Sequence, residues 1–122
     1  MRTGATMHTE PEMKNLVAKE LAAIGDAERR RALEGCLVAP VRTEFRWSYG
    51  PQRFDCWEVA RAVTKPVRIV YSTPPPISGY PWCSVSTEDQ LLGMDSSWFA
   101  SLDDAFINGW WDGPLPDGYE IA

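Results

Sequence analysis

Carboxylates and tryptophans are the residues through which this sequence could act. Asp103 and Asp104, with Asp95 upstream, are the nearest approach to an acid/base pair of the glycosidase kind, with tryptophans as sugar platforms. Against that reading, aspartates in the first turn of a helix are favoured by the helix dipole alone, and adjacent helix residues point in different directions. A domain this small also seldom encloses a deep two-carboxylate cleft. Nucleophilic chemistry has less to draw on. The one histidine, His8, lies in what reads as a loose end, so no Ser or Cys has an evident base beside it. Cys36, Cys56 and Cys83 are odd in number and widely spaced, which suggests reduced, partly buried thiols rather than a disulfide framework. Their spacing gives no support to a zinc site. Asp112, Gly113, Asp117, Gly118 and Glu120 lack the ligand order of an EF-hand loop and read as turns. No Gly-rich phosphate loop is present. The expectation is a chain without catalytic residues, metal or cofactor.

Charge is the more telling pattern. The last basic residue is Arg68, and the 54 residues after it carry eight carboxylates and no Lys or Arg. The same stretch holds four of the six tryptophans, Trp82, Trp98, Trp110 and Trp111. The first 68 residues hold all 12 bases against nine acids, so the net charge of -5 arises in the second half. A field of one sign steers encounters with partners of the other sign. It also argues against nucleic acid as a partner. The residues expected to meet a basic protein are Glu88, Asp89, Asp95, Asp103, Asp104 and Asp112, with Trp98, Trp110 and Trp111 as aromatic anchors. Trp110 and Trp111 are adjacent, so in an extended chain they cannot both face inward.

The elements that must position these residues follow from local signals. Residues 1–8 read as a flexible N-terminus and residues 9–122 as a single domain. Thr9 and Glu12 form a capping box with Pro11 in the first turn, and Met13, Leu16, Val17, Leu21 and Ile24 recur as a helical stripe toward Gly25. Asp26 can cap a second short helix, ended by Gly35. From Val41 the period changes to two, with Val41, Phe45, Trp47 and Tyr49 on one side and Arg42, Glu44 and Arg46 on the other. Phe54–Val63, Val67–Tyr71 and a short Trp82–Val85 complete an antiparallel meander of about four strands, the N-terminal helix covering its apolar face. The proline-rich Ser72–Pro81 segment is expected to be a stiff surface loop. Ser101 should cap a short acidic helix whose inner face is Leu102, Ala105 and Phe106. The fold class is therefore α+β. No apolar run approaches the ~18 residues of a membrane span, and the N-terminus has no apolar signal region, so a cytoplasmic location is expected.

Two stretches, WSYGPQRFDCWEVA (residues 47–60) and GMDSSWFASLDDAF (residues 93–106), resemble small bacterial proteins of the immunity type, which are encoded beside toxins of polymorphic or contact-dependent systems. The likeness covers residues 40–122 in general character: a hairpin, a proline-rich loop, then an acidic helix with aromatics. It implies a cytosolic α+β inhibitor that blocks a toxin's active site or substrate groove with acidic residues; the charge pattern itself suggests a cationic, nuclease-like toxin. The alternative class is a small carboxylate-dependent enzyme or carbohydrate-binding domain. A third is a structural subunit whose acidic face docks in a larger complex or a homodimer.

Overall fold

The computed structural model describes residues 9–47, 49–62, 66–72, 79–87, 91–92 and 97–109. The expected N-terminal tail, the first part of the proline-rich loop and the segment from Trp110 onward lie outside the described residues. Helix α1 (Glu10–Ala22) begins with the expected capping box. Thr9 N–H donates to Glu12 Oε1 at 2.8 Å, and Glu12 N–H donates to Thr9 Oγ1 at 3.3 Å. Two otherwise orphaned donors are thereby satisfied. Helix α2 (Ala27–Glu34) is capped by Asp26, which accepts from Arg29 N–H at 3.0 Å. That bond holds the Asp26 carboxyl below its usual range. Gly35 ends α2, and Arg30 Nη1 ties the helix back to the Ile24 carbonyl at 2.7 Å.

The strands are β1 (Leu37–Trp47), β2 (Arg53–Arg61), β3 (Val67–Ser72), β4 (Trp82–Ser86), β5 (Leu91–Leu92) and β6 (Ser97–Phe99), followed by helix α3 (Leu102–Gly109). Strands β1 to β4 form the expected antiparallel meander. Two short strands extend it, giving the order β5-β1-β2-β3-β4-β6, with β6 antiparallel to β4 and β5 parallel to β1. Strand β1 starts earlier than its two-residue alternation suggests, because a bulge between Leu37 and Val41 accommodates Pro40. A proline within a strand belongs at such a bulge or on a sheet margin.

The margins of this sheet are close together. Leu92 pairs with Trp47 on one side and Ser97 with Ser84 on the other. The five peptide links between Leu92 and Ser97 can reach at most ~18 Å. A flat six-stranded sheet would hold its outer strands about 24 Å apart. The sheet must therefore coil.

Both faces are buried, not just the one under the helices. Trp57, Val59, Ile69 and Trp82 pack with Met13, Val17, Ile24 and Leu33 of the N-terminal segment and with Leu102, Ala105 and Phe106 of α3. On the opposite face Phe45, Cys56, Val70, Cys83, Val85 and Trp98 form a second cluster. Two-sided burial explains why β2 and β4 read as nearly continuous buried runs instead of alternating. The second face also holds a charge pair. Arg68 Nη1 donates to Glu58 Oε1 at 3.0 Å, and each side chain is only 6% exposed. Arg61, half exposed, reaches the same carboxylate, which raises the Arg61 pKa. The Arg68 guanidinium lies 4.9 Å from the Phe45 ring centroid, within cation–π range.

Candidate interaction surface

Asp103 and Asp104 open α3, as expected from Ser101. Asp104 N–H donates to Ser101 Oγ at 3.0 Å, and the Asp104 carboxylate accepts from Asn108 one turn on. Asp104 is exposed, whereas Asp103 is not a free acid. Arg29 of α2 grips it with both arms of the guanidinium, Nε to Oδ1 at 2.9 Å and Nη2 to Oδ2 at 3.1 Å. This forked geometry is the strong form of an ion pair. It fastens α3 to the N-terminal helices, as does Leu102 N–H, which donates to Glu20 Oε1 at 3.0 Å.

Trp98, expected among the aromatic anchors, is buried instead. It sits on β6 opposite Cys83, buried in the second cluster with Phe45, Val70 and Val85. The structure thus gathers Asp103 and Asp104 at one helix start and places Trp98 inside. Glu88, Asp89, Asp95, Trp110, Trp111 and Asp112 lie outside the described residues.

Five of the ten described bases of the first 68 residues pair with acids of the same stretch. Of six ion pairs between described residues, five join residues of the first 68. Among the described residues, Arg29–Asp103 is the one ion pair that crosses into the base-free part.

Two further features were not singled out from the sequence. A cleft of about 490 Å³ at the β1–β2 turn is lined by Arg46, Trp47, Gly50, Pro51, Gln52 and Arg53. Arg46 and Arg53 are register partners there, and Arg53 leans toward Glu44 at 3.4 Å. Trp47 meets Tyr49 and Phe54 edge-on, with ring centroids 5.5 and 5.4 Å apart. The symmetry of Arg46 and Arg53 about the turn was a readable signal for this cleft. A second groove, apolar and about 250 Å³, runs between α1 and β1 past Val17, Leu21 and Val38.

The three cysteines are buried free thiols. Burial pushes the Cys56 thiol up to about 12 and raises Cys36 and Cys83 as well. A thiol held protonated is a poor nucleophile at neutral pH. No group of three His, Cys, Asp or Glu among the described residues is placed to hold a metal ion. No helix among the described residues is long and apolar enough to cross a membrane. Comparison with protein-family models, with curated proteins and with solved structures finds no match.

Proposed function

We propose that this chain is a non-enzymatic protein-binding inhibitor, an immunity-type protein that neutralises a cationic, nuclease-like toxin in the cytoplasm. The observation that carries this reading is the 54-residue stretch with eight carboxylates and no Lys or Arg. Its sign suits the basic surface that a nuclease presents to phosphates. On this view Asp104 meets the partner directly, together with Glu88, Asp89, Asp95 and Asp112. Asp103, held by Arg29, positions the start of α3 instead. Trp110 and Trp111 supply the desolvated anchors, and Trp98 supports the surface from within.

Charge pairing of this kind mainly accelerates association, while aromatic anchors slow dissociation. The test is to capture the partner from native lysate, or to express the neighbouring open reading frame, and to follow binding by stopped flow as salt is raised. The association rate is expected to fall steeply with ionic strength. A cognate partner that associates at a salt-independent rate would refute the proposal.

A further inference from the structure

The outer margin of β1 is an unfinished edge with a self-complementary pattern. Strand β5 lies beside only Arg46 and Trp47, so from Val41 to Phe45 no strand flanks β1 on that side among the described residues. Trp47 N–H donates to the Gln52 carbonyl at 2.9 Å, which turns its main-chain groups toward β2. Register from Val41 to Arg46 is unbroken, so alternation turns the main-chain groups of Arg42 and Glu44 outward. Pro40, just before this run, has no N–H to offer. Three of the side chains here are open to solvent, Val41 at 54% exposed, Arg42 at 60% and Glu44 at 54%, while Thr43 is half-buried and Phe45 is buried. An unpaired margin of this type is a template for another strand.

We propose that a second copy of this chain occupies the margin, pairing antiparallel with its own β1 about a two-fold axis at Thr43. An isologous contact requires one residue to face itself, and the alternatives fail one by one. Centring on Arg42 sets arginine against arginine, and centring on Glu44 sets glutamate against glutamate. Centring on Val41 places Arg42 against the partner's Pro40, where an N–H is missing. An axis between two residues opposes outward groups to inward ones and forms no ladder. With Thr43 at the centre, Arg42 faces the partner's Glu44 and Glu44 faces the partner's Arg42. Both pairs are of the hydrogen-bonded type, each exchanging two main-chain bonds. Opposite charges directly across strands stabilise such a pairing. Val41 then stands in register with the partner's Phe45, whose side chain is already buried in its own chain. The pairing ends where β5 begins at Arg46, so the contact is short and the dimer reversible. The loose intrachain pairs Arg42–Asp55 and Arg53–Glu44, at 3.8 and 3.4 Å, offer little resistance to it. None of this depends on the toxin-binding reading.

Charge swaps test the register. Sedimentation of the wild-type chain from about 1 μM to about 1 mM should show a mass rising from 13.7 kDa toward its double. Arg42→Glu alone places Glu against Glu in the dimer, and Glu44→Arg alone places Arg against Arg. Each should weaken self-association about tenfold or more while circular dichroism stays that of the wild type. Mixing the two variants creates two Glu–Arg pairs per heterodimer and should restore association to near the wild-type level. A wild type that stays monomeric across the range overturns the proposal. Single variants that associate like wild type, or a mixture that does not recover, overturn it equally.

Discussion

Replacing Glu58 by Ala tests whether the second face of the sheet is as dry as its geometry implies. The carboxylate serves two guanidiniums of different standing. Arg61 is 51% exposed and can return to water when its partner is removed. Arg68 is 6% exposed, so Glu58→Ala removes the Glu58 carboxylate from beside a charge held inside the protein. Breaking a buried pair from one side costs about 3–5 kcal/mol, a large share of the roughly 5–15 kcal/mol that holds a domain together. At roughly 3–6 °C per kcal/mol for a domain of this size, the melting temperature should fall by roughly 9–30 °C. Arg61→Ala keeps the Glu58–Arg68 pair and should cost no more than about 1 kcal/mol. Glu58→Leu combined with Arg68→Met removes both charges and should lie within about 2 kcal/mol of wild type, on either side. Urea unfolding of the wild type and the three variants measures all of this. If Glu58→Ala costs less than about 1.5 kcal/mol, or no more than Arg61→Ala, water reaches Arg68 and the buried-pair argument is wrong.

Two further outcomes follow from the same structure. A double-mutant cycle on Arg29→Ala and Asp103→Ala should give a coupling of about 1 kcal/mol, the partial exposure of both groups holding it below the buried pair; zero coupling would mean that α2 and α3 are not joined there. Cys56 keeps its proton to about pH 12 when folded but ionises near 9 when unfolded, so above pH 9 the unfolded state binds fewer protons and stability falls as pH rises from about 9 to about 12. Cys56→Ala should flatten part of that decline in urea titrations, and an unchanged slope would contradict it.

The sequence was readable where the cause was local. Thr9 with Glu12, Asp26 with Arg29 and Ser101 with Asp104 lie within one helical turn of each other, and each cap formed as its spacing implies. The meander was legible for the same reason, its strands being joined by short turns. The burial of Trp98 was not legible because a three-residue strand leaves no periodic trace, and the partner that buries it, β4, is set by the sheet rather than by its neighbours in sequence. Strand β5 was missed for a related reason: a two-residue parallel pairing has no turn signal. Asp103 looked like free acid because its cation, Arg29, is 74 positions away. The second buried face could have been suspected from FDCWEVA and VRIVY, whose apolar residues fall on both sides of the strand.

Helix α3 has a kinetic consequence. Its two polar ties to the N-terminal helices join residues 82 and 74 positions apart, Leu102 to Glu20 and Asp103 to Arg29. Phe106, wholly buried, fills the same core as Met13 and Leu33. Contacts of such long separation form late and slow folding. While the chain is being synthesised, α1 and α2 can meet the meander but lack the element that closes their apolar side. The apolar stripe of α1 therefore remains partly uncovered until α3 has been made and can dock, which makes this interval the one in which the protein is most open to aggregation and to chaperones.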